Sequence, residues 1–313
     1  MFIVPEKYRK GPIHRTEALA DGITRDVLEG PQFGRLHESV YCHRDHEMTW
    51  ADRIEAARLA LPDTARTTGI TRLQQLGVDH GSKDTVHFVV QGDLHLELEG
   101  VFLHRTVMMP PHDDQGVSTE AAFVAYCAEA RLLDAIKVGS VLLNREQLAG
   151  DLLEELISEQ PWRRGCAEAR HVLPHLDGRC RSLPEAELHA FMMFASLPAP
   201  EVNKTIDIGS EDILTPDFWF EDYELAVEYE GSQHQEDRGQ YNADIDRYKI
   251  YRRTGTAYEQ ITKERMRSPK GTVRQIHRAL VDRGYDGPPP DFGELWLLLF
   301  TRLSFVVRPR RAA

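Results

Sequence analysis

The run Leu214-Thr215-Pro216-Asp217-Phe218-Trp219-Phe220-Glu221-Asp222-Tyr223-Glu224-Leu225-Ala226-Val227-Glu228-Tyr229-Glu230-Gly231 sets two aromatic and β-branched segments around a polar centre. That is the pattern of a β-hairpin. Its turn falls at Glu221 to Glu224, and either a two-residue loop (Asp222-Tyr223) or a four-residue loop places Asp217 opposite Glu228. Opposed residues share a face, with Cβ atoms about 4.5–5.5 Å apart. The period of two adds Glu230 to that face and turns Leu225, Val227 and Tyr229 to the other. Three carboxylates brought together repel one another unless a hard divalent cation, coordinated through oxygen, cancels their charge. A merely solvated acidic face is the plainer alternative. Against it stand the apolar flanks, Phe-Trp-Phe and Leu-Ala-Val, and the Gly231 and His234 that follow at once.

Outward from the hairpin, Ser182-Leu183-Pro184-Glu185 opens a helix, with Ser182 as N-cap, Pro184 in the first turn and Glu185 completing a capping box. The apolar stripe of that helix is Leu188, Phe191, Met192 and Ala195. Capping alone accounts for Glu185; a second role as a metal-side or water-orienting carboxylate is the sharper expectation. Downstream come His234, with the chemistry of a general acid or base or a phosphate ligand, then Arg238, and a helix over Tyr241 to Thr254 carrying Asp244, Arg247, Lys249 and Arg252. Charge is segregated around these residues. Glu201 to Asp237 holds twelve acids against Lys204 alone, whereas Arg238 to Arg283 holds twelve Lys or Arg against five acids. Carboxylates that hold a cation, next to cations that hold phosphates, are what a metal-dependent enzyme acting on a polyanion needs.

At these residues the chain resembles a family related to the very-short-patch-repair (Vsr-type) endonucleases, within the PD-(D/E)xK restriction-endonuclease-like superfamily. The likeness is carried by Glu185, Leu197-Pro198-x-Pro200, Asp217, Glu228-x-Glu230-Gly231-x-x-His234, and Asp244-x-x-Arg247 followed by Gly255, and covers roughly Arg179 to Asp282. It implies a central mixed sheet flanked by helices. It further implies Asp217 and Glu228 as Mg²⁺ (or Mn²⁺) ligands, Glu185 and His234 as assisting groups, and hydrolysis of DNA phosphodiesters by water; Glu230, on the same hairpin face, is expected to assist as well. Arg238, Arg247, Lys249 and Arg252 would then hold phosphates. Glu230 stands where the superfamily carries its lysine, so the basic helper is sought at Arg247 or His234, and an inactive, binding-only descendant stays open.

The N-terminal region reads differently. Thr16 and Thr24 are candidate N-caps of two short helical runs split by Gly22, followed by a strand pair over Arg35 to Cys42. Thr16-Glu17-Ala18-Leu19-Ala20-x-Gly22-Ile23-Thr24, Phe33-Gly34-Arg35-Leu36-His37 and Val40-Tyr41 resemble the reduced winged-helix segment of AbiEi-type antitoxin-like proteins. That likeness implies a DNA-positioning segment, a partner toxin or a homodimer, and a rival function: a non-catalytic antitoxin or transcriptional regulator with a degenerate nuclease fold. The pair Arg25 with Asp26 and Glu29 equally suits a structural role. Between the two regions a helix over Trp50 to Leu61, strands at Val86–Val90 and Leu94–Val101, and helices at Thr119–Ile136 and Arg145–Ile157 are expected.

The whole therefore reads as a mixed α+β chain. Its expected parts are a winged-helix-like segment (1–48), a mixed middle module (49–160), a linking helix (161–178), a restriction-endonuclease-like domain (179–285) and a tail (286–313). At 313 residues and 41% hydrophobic it has ample material for a core. Four scattered cysteines and the lack of an apolar leader point to a reducing cytoplasm. No membrane span is expected, since Arg302 interrupts the apolar Leu295–Val307 run. Cys166, His171, His175 and Cys180 lack the close CxxC pair of a zinc site. The patterns of serine hydrolases, P-loop NTPases and dinucleotide-binding folds do not occur.

Overall fold

The structure, a computed structural model, describes residues 2–207, 213–231 and 248–307. The chain divides into two compact units, Met1–Tyr126 and Cys127–Ala313, and its class is mixed α+β, as the sequence indicates.

In the first unit, β1 (Pro12–His14), α1 (Arg15–Ala20), α2 (Arg25–Leu28), β2 (Phe33–His37) and β3 (Val40–His43) form a small antiparallel sheet of order β1-β3-β2 with two short helices. Its core is Tyr8, Ile13, Ala18, Ile23, Leu28, Phe33 and Tyr41. Gly22 takes the left-handed φ of 84° that separates the helices. The N-cap of α1 is His14 and not Thr16: its Nδ1 accepts the Thr16 N–H at 3.3 Å. Thr24 does occupy the cap position of α2, without a side-chain cap bond.

Next come α3 (Trp50–Ala60), closed by a Thr49–Asp52 capping box, β4 (Arg66–Thr67), α4 (Gly69–Gln75), β5 (Val86–Gln91) and β6 (Val101–Thr106). The strand expected over Leu94–Val101 is not formed. The chain leaves β5 at Gly92 and turns again at Gly100, both at positive φ. It then enters β6 parallel to β5, pairing Val86 with Val101. The Leu94 and Leu98 side chains pack on the Ile54, Ala57, Phe88 and Val90 core instead of pairing by backbone. The alternating leucines thus mark a strap over the core, which periodicity does not distinguish from a strand.

The helix expected over Thr119–Ile136 is two, α5 (Thr119–Cys127) and α6 (Leu132–Asn144). The second unit goes on through α7 (Gly150–Glu159), α8 (Cys166–Val172) and α9 (Leu183–Phe194). Helix α6 packs on α9, tied by the Lys137–Glu187 ion pair, so the C-terminal unit begins well ahead of Arg179. Then follow β7 (Glu201–Val202), β8 (Ile206–Asp207), β9 (Ile213–Leu214), β10 (Phe218–Phe220), β11 (Leu225–Glu230), a helix α10 seen over 248–254, and β12 (Ala257–Thr262). The chain closes with α11 (Lys263–Met266), α12 (Pro269–Asp282), α13 (Glu294–Leu298) and α14 (Leu303–Val307).

The sheet that organises this unit has order β12-β11-β10-β7, with β11–β12 parallel and the other pairs antiparallel. One face carries Trp219 and Ala226, which pack with Tyr251 and Tyr248 of α10, Tyr258 of β12 and the small β8–β9 pair. The opposite face carries Phe218, on which His189 of α9 stacks at 6.0 Å, and Glu259, reached by Gln275 of α12 at 2.9 Å. The tail docks on its own unit: Trp296, Leu299 and Leu303 are fully buried, and Phe191 meets Trp296 at 5.6 Å. The polar sequence of β12 has a simple cause. It is an edge strand, and only Ile261 in it is fully buried.

Candidate functional site

The hairpin register is the one read from the sequence. Phe218 pairs with Val227, Trp219 with Ala226 and Phe220 with Leu225, so the next step of the ladder sets Asp217 against Glu228. The turn is a single 3-10 turn, Glu221–Tyr223, closed by Glu224 at φ 45°. Asp217 lies one residue before β10, and its Oδ2 accepts the Tyr229 N–H at 2.7 Å. The carboxylate therefore leans across the strand gap onto β11.

Glu228 is 1% exposed. An ionised carboxylate there demands donors or cations, because an uncompensated buried charge costs several kcal/mol. One donor is the Tyr251 hydroxyl, 2.6 Å from Oε1. Tyr251 comes from α10, and its ring stacks on Tyr258 at 4.9 Å, so the donor is fixed by aromatic packing. In the parallel pair, Glu228 faces Gln260 and Glu230 faces Thr262. The Gln260 amide donates to Glu230 and, at 3.0 Å, to the Tyr248 hydroxyl. Glu230 is exposed at the strand end. Tyr248, Tyr251 and Gln260 were not anticipated from the sequence. The i, i+3 spacing of the two tyrosines on one helix face is the signal that marks them.

Glu185 is buried in the first turn of α9, and its carboxylate is committed to several donors. Oε1 accepts the Ser182 hydroxyl at 2.8 Å. Oε2 accepts the Arg181 N–H at 2.9 Å and the Asn203 amide at 2.8 Å. The expected capping box is thus present in modified form, the return bond going to Arg181. Asn203, also unanticipated, joins Glu185 to the hairpin: its own N–H donates to the Asp217 carbonyl at 2.9 Å. Asn203 holds a left-handed φ of 50°, and its Oδ1 is buried with no hydrogen-bond partner among the described residues. Nearby, burial first, then the charges of Asp177, Glu185 and Asp217, push the Cys180 thiol up, so it stays a neutral thiol.

Asp217 and Glu228 thus share one sheet face, with Glu230 at its open end and Glu185 linked through Asn203. Of the expected phosphate contacts, Lys249 and Arg252 are exposed on α10. His234, Arg238 and Arg247 lie outside the described residues, as does the first half (241–247) of the expected Tyr241–Thr254 helix. Among the described residues no three His, Cys, Asp or Glu side chains gather into a metal-binding cluster. A pair of carboxylates on one sheet face is nonetheless a hard, oxygen-based donor set. It suits Mg²⁺, which commonly binds through one or two carboxylates and completes its shell with water and substrate phosphate.

No protein-family model matches the chain. Two proteins of Mycobacterium tuberculosis are similar to it, uncharacterized protein MT2308 of strain CDC 1551 / Oshkosh and uncharacterized protein Rv2248 of strain ATCC 25618 / H37Rv. Each is 29% identical over 157 residues, 49% of this chain and 58% of the relative.

Proposed function

We propose that the C-terminal unit is a Mg²⁺- or Mn²⁺-dependent DNA endonuclease of Vsr-like type. The observation that carries this reading is the hairpin register, which sets Asp217 and Glu228 side by side on a sheet face roofed by α10. Asp217 and Glu228 would hold the cation, which supplies Lewis acidity and a water of lowered pKa. Tyr251 holds the Glu228 carboxylate in place. Tyr229, through its backbone N–H, aims Asp217. Glu185 fixes the Asn203 turn against the strand that bears Asp217. Glu230, with Gln260 and Tyr248, borders the open end, where a scissile phosphate would enter. Lys249 and Arg252, with Arg238 and Arg247, would hold flanking phosphates, and His234 would exchange the proton that the superfamily's lysine manages elsewhere. Purified protein with Mg²⁺ or Mn²⁺ is expected to nick supercoiled plasmid, and the Asp217→Ala protein to lose at least a hundredfold of that rate. Equal residual nicking in both proteins removes the assignment.

A second reading is favoured by Glu230, an acid held by a neutral amide at the position of the missing lysine. In it the chain is a non-catalytic antitoxin or regulator, bound to DNA through the β1-β3-β2 segment, with a toxin or a second copy as partner. The short α2 there has its Arg25 engaged by Glu29 at 2.7 Å. Sequence-specific gel shifts that need no metal and survive Asp217→Ala would select this reading.

A further inference from the structure

The chain as a whole carries a formal net charge of −12, yet one surface of the C-terminal unit is strongly cationic. On α11, α12 and the turn between them, Lys263, Arg265, Arg267, Lys270, Arg274 and Arg278 are all exposed, and Glu264 is the lone acid from Lys263 to Val281. Among the described residues none of the six cations forms an ion pair with a carboxylate, although exposed cations elsewhere in the unit, such as Arg179, Lys204 and Arg283, do. Lys270, Arg274 and Arg278 recur every four residues, which places them along one stripe of α12 at about 6 Å intervals. The other side of the helix, with Thr272, Val273, Ile276, Ala279 and Leu280, is buried. Phe292 steadies the start of the stripe: the Lys270 ammonium lies 5.3 Å and the Arg274 guanidinium 5.1 Å from its ring centre, a cation–π arrangement that orders both heads.

This stripe belongs to the sheet face opposite Tyr251 and Glu228, so it is not the rim of the hairpin site. Six exposed cations on one short stretch against the single acid Glu264 leave an excess of positive charge, whose repulsion an anionic ligand relieves. A lipid surface is disfavoured, because a helix that lies in a membrane spends its apolar face there, and the apolar face of α12 is already spent on the core. A duplex backbone, with one negative charge per about 1.7 Å of axis, matches a straight row of cations with no demand for base contacts.

We propose that the α11–α12 face is a docking surface for the phosphate backbone of duplex nucleic acid, independent of sequence and of metal. The choice of nucleic acid among polyanions rests on the nuclease reading; the surface itself does not need the hairpin site to cleave. The test is fluorescence anisotropy of a labelled 20-base-pair duplex with the full chain in EDTA, from 50 to 200 mM salt. The triple variant Lys270→Gln/Arg274→Gln/Arg278→Gln is expected to flatten the slope of log affinity against log salt by about 2.7, so that its loss over this range is about forty-fold smaller than that of the wild type. The same change should appear on unrelated duplex sequences, and Arg274→Lys, which keeps the charge, should retain the wild-type slope. An unchanged slope in the triple variant overturns the proposal, as does a slope lost equally in Arg274→Lys. Loss of binding to phosphatidylserine vesicles with duplex binding intact overturns it in favour of a membrane. Asp217→Ala separates the two ideas. If that variant nicks like the wild type while the triple variant loses the salt slope, cleavage at the hairpin is refuted and the docking surface stands. If Asp217→Ala abolishes nicking while the triple variant binds normally, the reverse holds.

Discussion

Replacing Tyr251 by Phe removes a single oxygen from the buried centre of the C-terminal unit, and the structure sets the size of the effect. The hydroxyl donates to a carboxylate that is 1% exposed, so its removal leaves a buried charge with one donor fewer. Hydrogen bonds to charged groups contribute about 1.5–3 kcal/mol, against about 0.5–1.5 for neutral ones. The ring still packs on Tyr258 and Trp219, and no cavity larger than the hydroxyl is made. A loss of about 2 kcal/mol is expected, which for a unit of this size lowers Tm by about 4–8 °C. In a Glu228→Gln background the same substitution meets a neutral amide and should cost about 1 kcal/mol, leaving a coupling of about 1 kcal/mol in a double-mutant cycle. Urea unfolding of the four proteins measures it. Equal losses in both backgrounds would show that the tyrosine hydroxyl does not serve the carboxylate, and the account of how Glu228 is held would be wrong.

Two further outcomes concern the supports of the site. Asn203→Ala is expected to cost about 3 kcal/mol, because two side-chain hydrogen bonds, to the Arg179 carbonyl and to Glu185, are lost and Ala resists the left-handed backbone. Asn203→Gly, which tolerates that backbone, should cost about 1 kcal/mol less by urea midpoint, and the opposite ranking would refute the assigned strain. The acid limb of stability should also carry a histidine signature. Burial against Phe218 first, and Arg179 after it, hold His189 below its ordinary 6.5, with Asp177 opposing. The unfolded chain then takes up the proton at higher pH than the folded one, so stability is complete above about pH 7 and falls as pH drops below 6.5. His189→Gln should flatten urea midpoints measured from pH 7.5 to 5, and parallel curves would exclude the histidine as a cause.

Much of the site was legible because hairpins are local. A polar centre between two apolar runs fixed both the turn and the partner of Asp217, and Ser182 followed from capping chemistry. Contacts made over longer stretches left no comparable trace. Tyr251 and Gln260 meet the hairpin acids only because β12 returns parallel to β11, and nothing in the periodicity of Ala257–Thr262 specifies a parallel partner. Asn203 leaves no sequence signal because its role depends on a left-handed residue immediately after a strand of two residues, too short to show alternation. The strap at Leu94–Leu98 misled for the opposite reason, since alternation arose there without strand pairing.

The parallel closure of β11 by β12 also imposes a timetable. The two strands of the hairpin meet across one turn, an event of microseconds that closes a very short loop. Strand β12 reaches β11 only after the whole 231–256 connection has been drawn back, and α10 arrives with it. On this topology the two acids are expected to be set side by side while still in water, and Glu228 to be dehydrated only when Tyr251 packs over it. Ions or solution conditions that screen those acids are then expected to change the rate of that last step and to leave hairpin formation untouched, which stopped-flow folding at different salt concentrations measures.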